Sequence, residues 1–318
     1  GVDGGVEDRT SKAGSRRSSG RNKMKKGYAP AIVLLAGILW GTLGLFSRHL
    51  KAAGFGPFEI TFVRVSISFL ATVIPVALFA RALLVVHLRD LWCFLGSGIV
   101  SVLFFSACYF RGLELTSLAV ATVLLYTAPI FVVLLSALIF HDPITKKKLA
   151  ALVLAFVGYI LVAGIGGGQP LSFKGFLCCL GAGFFYSLYS IFGKLAMQRG
   201  YSALTLTLYS FLFCTLGSAV MVDWNVFGSA IRQDSNILWW MLGTGLIAAF
   251  CPYTLYSIGL SKMDAGKASI LVSIELVAEA AIGLIVFHEP LSAVSVMGIA
   301  LVLSAIAILN LRRHESRK

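Results

Sequence analysis

Three charges stand inside long apolar runs of this chain: Arg64, Glu275 and Glu279. A charge at the centre of a bilayer costs roughly 2.5–3.5 kcal/mol on insertion scales, so each calls for a partner or for water. Glu275 and Glu279 are four residues apart, which on a helix puts them on one face with Gly283. Two carboxylates a turn apart and one guanidinium can form a static ionic cluster, or bind and release a cationic group or a proton. At about 1.5 Å of rise per residue, Arg64 lies about 10 Å and Glu279 about 12 Å below one membrane surface, with Glu275 about 18 Å down, near the midplane. These depths pair Arg64 with Glu279 and leave Glu275 to meet substrate or a proton. Other spacings are less productive. His141-Asp142-Pro143 and His288-Glu289-Pro290 read as helix ends followed by proline, at opposite faces, and cannot form one site. The six cysteines show no metal-ligand spacing and read as small, reduced, buried hydrophobes. GIGGGQP has no Gly-Lys-Ser/Thr after it and is a linker rather than a phosphate loop. No metal or cofactor is expected.

The elements that hold these residues are membrane helices. Of 318 residues 58% are hydrophobic and 13% charged, with a mean hydropathy of +0.88. Soluble domains run about 45–50% apolar and about 25% charged, so a lipid environment must cover this surface. The net charge of +13 resides in short loops and tails and builds no nucleic-acid patch. Apolar runs of bilayer length recur at 30–49, 57–80, 91–112, 118–140, 149–165, 173–195, 203–222, 237–260, 267–287 and 291–311. Lys and Arg gather in alternate loops, as at Lys146-Lys147-Lys148, Lys262, Lys267 and Arg312-Arg313, which predicts both termini in the cytoplasm. Residues 1–27 read as a disordered basic tail, with 1–23 upstream of a natural start at Met24, and 312–318 as a second basic tail.

The chain is internally duplicated. LWCFLGSG from Leu91 matches LWWMLGTG from Leu238, YFRGL from Tyr109 matches YSIGL from Tyr256, and FHDP from Phe140 matches FHEP from Phe287, all 147 residues apart. Upstream the offset is 146, where FSRHL at Phe46 meets FGKLA at Phe192. Apolar composition alone does not align Trp92 with Trp239, Gly96 with Gly243 and Pro143 with Pro290. Two units follow, 28–165 and 173–311, joined by a linker at 166–172. Five spans in each force the second unit to enter the membrane upside down, an arrangement common among secondary transporters. The expected fold is all-α, ten transmembrane helices as two inverted five-helix repeats.

Each half resembles the EamA-type repeat of the drug/metabolite transporter superfamily. The resemblance is carried by ILWGTLGLFSRHL, FVRVSISFL, YFRGLELTSLAVATVLLYTAPIFVVLLSALIFHDPIT and YSIGLSKMDAGKASILVSIELVAEAAIGLIVFHEPLS. It implies a central cavity lined by spans 1, 3, 4, 6, 8 and 9, and cargoes such as amino acids, other metabolites or drugs, often moved outward. Two departures stand out. The family often has Glu-Pro in the ninth span where Glu275 is followed by Leu276, and the acids closing spans 4 and 9 sit in His-acid-Pro triplets. On the helices that the family uses for the cavity, Trp40, Ser106, Tyr126, Tyr186, Tyr189 and Tyr253 lie mid-span and join Glu275 as candidate substrate contacts. Aromatic faces with hydroxyls can grip and orient a mostly apolar solute. Pro129 and Pro252 remove helix hydrogen bonds and are candidate gating kinks. The expectation is a secondary transporter of a small metabolite working by alternating access, as an exporter in the cell membrane, with protons as the candidate coupling ion and oligomeric state left open. A small-solute channel or an intramembrane enzyme is the alternative. The enzyme reading lacks convergent nucleophiles and a buried His.

Overall fold

The computed structural model describes residues 28–164 and 172–310. The two tails and residues 165–171, most of the expected linker, lie outside them. The described residues are helical throughout, without a strand. The long helices are α1 (Ala29–Ala52), α2 (Pro57–Phe79), α3 (Leu88–Leu115), α4 (Val120–Phe140), α5 (Lys146–Ala163), α6 (Phe173–Gln198), α7 (Ala203–Ala219), α8 (Ile237–Leu260), α9 (Ala265–Val286) and α10 (Ala293–Asn310). Their starts follow the local sequence. Pro30 and Pro57 open α1 and α2, where a missing N–H costs nothing. The Ser172 and Ser202 hydroxyls accept from Gly175 N and Thr205 N at the starts of α6 and α7, and the Asp264 carboxylate accepts from Lys267 N at 2.8 Å before α9.

Among the described residues eight helices are long and apolar enough to cross a membrane, and nine if a bent pair is one span. Helix α5 falls outside that set because Lys146, Lys147 and Lys148 fill its first turn. The bent pair begins in the expected seventh span, 203–222. Helix α7 stops at Ala219, and a short helix, Trp224–Gln233, leaves it at 96°. The Asp223 carboxylate caps that helix through Asn225 N, and Glu59 on α2 accepts from Asp223 N at 2.8 Å. One side of it packs on the core through Phe227, which meets Phe55 and Phe62, while Trp224 is exposed.

Neighbours lie mainly across the repeats. Helix α1 packs on α8 and α9, and its counterpart α6 packs on α3 and α4. Helices α2 and α7 pack on each other, and so do α5 and α10. Small hydroxyls bridge these contacts: Ser97 Oγ lies 2.5 Å from Ser210 Oγ, and Ser68 donates to Gly245 O at 2.8 Å. Helices α4 and α9 break at nearly equivalent places, Tyr126-Thr127 and Val272-Ser273, 146 residues apart. Helices α3 and α8 loosen into π-helical turns over Gly96–Leu103 and Leu246–Phe250. Irregular backbone at this depth survives only where protein or a cavity surrounds it.

Candidate functional site

A cavity lies where the interrupted helices meet. Trp40 of α1, Tyr186 and Tyr189 of α6, and Tyr253 and Tyr256 of α8 give it aromatic walls. Phe105 and Ser101 of α3, Ser190 of α6 and Ser269 of α9 complete it, with Val102, Val132 and Val272. The rings are locked by one another. Trp40 meets Tyr253 edge-on at 4.9 Å and lies 5.4 Å from Tyr256, and Tyr189 meets Tyr253 edge-on at 4.9 Å. Their hydroxyls are tied down too: Tyr189 Oη is 3.0 Å from Ser257 Oγ, and Tyr256 Oη is 2.7 Å from Ser190 Oγ. A pocket of this kind is shaped for a flat or apolar body with a few polar groups.

Of the residues singled out in the sequence, Trp40, Tyr186, Tyr189 and Tyr253 line this cavity. Ser106, Tyr126 and Glu275 are not among its lining side chains. The Ser106 hydroxyl is turned onto Val102 O of its own helix at 2.8 Å. Tyr126 stacks on Tyr159 of α5 at 4.6 Å, and Tyr159 is hydrogen-bonded to Ser273 at the break in α9. Glu275 begins the second half of α9, half-buried, within electrostatic range of Tyr126, Tyr186 and Tyr253. Pro129 opens the second half of α4 and Pro252 the last segment of α8.

The expected pairing of Arg64 with Glu279 does not form. Arg64 is 7% exposed, makes no ion pair among the described residues, and its Nε has no hydrogen-bond partner. It lies near Cys214 of α7, Tyr253 and Glu275. Glu279 instead faces α1: a Cβ on Gly44 would stand 3.4 Å from its Oε1, and the nearby charges are Arg48 and Glu289. Depth put Arg64 and Glu279 at one level, and packing gave them different neighbours. Glu279 is accessible although protein crowds round it, as in a concave opening.

Sequence reasoning missed Tyr256, Ser190, Ser101, Phe105 and Ser269. Two were within reach. Tyr186, Tyr189 and Ser190 follow a three-four spacing that shares one face of α6, and Tyr256 is three residues beyond Tyr253 on α8. Tyr256 also heads the repeated YSIGL segment.

Comparison with known proteins agrees with this architecture. The EamA-like transporter family matches residues 28–164 and again 173–311. An uncharacterized transporter of Archaeoglobus fulgidus is 29% identical over 286 residues, 88% of this chain and 96% of that one. The uncharacterized transporter YetK of Bacillus subtilis is 25% identical over 71% of this chain and 70% of its own length. A probable amino-acid metabolite efflux pump of Salmonella typhimurium is 24% identical over 59% of this chain and 66% of that one. A crystal structure 18% identical in sequence superimposes with a TM-score of 0.74, covering 88% of this chain and 95% of that one, which is a likeness of fold. With two family matches spanning nearly the whole described chain, this protein belongs to the EamA-like transporter family, a multi-pass cell-membrane transporter of small solutes and not an enzyme.

Proposed function

We propose that the chain is a secondary transporter that exports a small amino-acid-like or drug-like metabolite by alternating access, through ten transmembrane helices with both termini in the cytoplasm. The observation that carries this reading is the aromatic cavity at the junction of the two repeats, lined by residues of both, with Val272 at the break in α9 in its wall. Discontinuous helices at a repeat interface are where secondary transporters hold their cargo. The ten-helix count rests on α5 crossing with its three lysines at the surface, and the outward direction draws on the efflux pump among the relatives. Trp40, Tyr186, Tyr189 and Tyr253 hold the substrate body in this reading, Glu275 takes a proton or a substrate amine, and Ser106 and Tyr126 support the wall from behind.

The test is counterflow in proteoliposomes with labelled amino acids and small metabolites, with and without a pH gradient. Saturable counterflow is expected for one solute class. Trp40→Ala should lower its apparent affinity about ten-fold or more, as for a buried aromatic anchor. Glu275→Gln should abolish the response to the pH gradient. Flux that never saturates, with no counterflow, would identify a channel instead.

A further inference from the structure

Two ion pairs in this structure are copies of each other. Arg48 Nη1 on α1 lies 2.6 Å from Glu289 Oε1, just beyond α9. Lys194 Nζ on α6 lies 3.0 Å from Asp142 Oδ2, just beyond α4. The two cations are 146 residues apart and the two acids 147, the offsets of the repeat itself. The likeness extends to the surroundings. The Arg48 guanidinium sits 4.1 Å over the ring of Phe287, and the Lys194 ammonium 5.2 Å from the ring of Phe140, its counterpart. Between ring and acid, His141 and His288 adopt left-handed backbone, φ 56° and 55°. The acid's own N–H then closes on the carbonyl six residues back, Asp142 on Ser136 and Glu289 on Gly283. Glycine is the usual occupant of that turn, so both repeats carry a strained residue to make it.

The pairs lie at opposite ends of the molecule. Lys148, at the start of α5, bonds both Pro143 O beside Asp142 and Asp264 at the start of α9. Glu289 lies past the other end of α9, about 33 Å away along 22 residues of helix. Each pair ties the first helix of one repeat to the fourth of the other. Those helices also touch halfway along: a Cβ on Gly37 would come 2.7 Å from Val272 O of α9, and one on Gly183 would come 2.7 Å from Leu124 O of α4. The helices therefore rest on a central contact and carry an ionic tie at one end. The two ends are in different states. Lys194 and Asp142 are 16% and 19% exposed, and the Ser136 hydroxyl also bonds Asp142, whereas Arg48 and Glu289 are 50% and 52% exposed. The Asp142 end is sealed and the Glu289 end is wet.

We propose that Arg48–Glu289 and Lys194–Asp142 are the two gates of the transport cycle, each closing one face of the cavity when it is dry. The assignment rests on the alternating-access reading above. An ion pair in water contributes little, and the same pair enclosed and hydrogen-bonded is costly to break from one side. The sealed pair therefore holds the present state, and in the opposite state the wet pair is enclosed while the other opens.

The test places one reporter cysteine in the cavity, Ser269→Cys, in a chain with its six native cysteines replaced. A membrane-impermeant maleimide is then applied from each face, in intact cells and in inverted vesicles. Asp142→Asn is expected to shift the ratio of labelling rates about five-fold toward access from the Asp142 face. Glu289→Gln is expected to shift it the opposite way, and Asp142→Lys combined with Lys194→Asp to return it toward that of the parent. Should Asp142→Asn not fold, Glu289→Gln at its exposed position still decides. Shifts in the same direction, or a folded Glu289→Gln with an unchanged ratio, would overturn the gates. Equal labelling from both faces at once in every variant would overturn alternating access itself.

Discussion

Tyr256 Oη and Ser190 Oγ are 2.7 Å apart between α8 and α6, with neither side chain open to bulk water. Removing one partner strands the other: Ser190→Ala or Tyr256→Phe should each cost about 1–3 kcal/mol, and the double variant clearly less than their sum. Thermal melts of the four proteins in detergent close that cycle, and additive losses would show that the pair is uncoupled. A second residue-scale prediction concerns Asp142, which lies between α4 and α5. Burial pushes its carboxyl upward, and hydrogen bonds from Ser136 and Lys194 outweigh this, so it ionises below the ordinary carboxylate range. The unfolded chain then takes up the proton first. Stability from this group is fully present above about pH 4 and is lost as pH falls through the lower, folded value. The melting temperature of the parent should therefore drop between about pH 5 and about pH 3 by more than that of Asp142→Asn. Glu289 is drawn down by its hydrogen bond from Arg48, but in open solvent it should add little to that drop.

At the scale of elements, the helices were legible in the sequence and their interruptions only in part: those beside Pro129 and Pro252 were, the one at Val272-Ser273 was not. Runs of bilayer length, Pro and Ser starts and Lys-rich ends mark nearly every helix to within a few residues. The break at Tyr126-Thr127 lies just before Pro129, which has no N–H to continue the helix, and Gly183 of α6 packs against it so closely that a Cβ there would meet Thr127 Oγ1 at 2.6 Å. Trp224–Gln233 was missed. It is short and amphipathic, and its apolar residues answer to Phe55 and Phe62, far away in sequence. The close approach makes a contrast on one helix. Gly183→Ala must push α6 from α4 and should cost about 1–3 kcal/mol. Gly181→Ala, where the nearest outside atom is 3.9 Å away, should be neutral or stabilising by up to about 1 kcal/mol. Equal melting temperatures for the two variants would sink this account.

For the whole molecule, the duplication was readable from aligned Trp, Gly and Pro, and so was much of the aromatic wall. What the alignment does not contain is which repeat each helix leans on. Arg64 illustrates this: depth is a one-dimensional quantity, and its side of the bundle is set by α7 and α8, more than 140 residues downstream. Because α1 and α6 find their main partners in the opposite repeat, neither half can cover its own apolar and hydroxyl-bearing faces. Residues 28–164 expressed alone should be degraded or aggregate. Co-expression with residues 172–311 should return both to the membrane as a complex that copurifies through a tag on one half. Stable, monodisperse halves purified separately would contradict the interlocked packing.

The edge-on contact of Trp40 with Tyr253 has an optical consequence. Trp40 is 5% exposed, whereas Trp92, Trp224 and Trp239 face outward and Trp240 is stacked on His49 at 3.6 Å. With those four replaced by Phe, the remaining indole emits from the cavity wall, fed by energy transfer from the surrounding phenols. Any cargo that displaces water or a ring beside it will change its colour and lifetime, so the chain carries its own label for finding what it binds before any flux is measured.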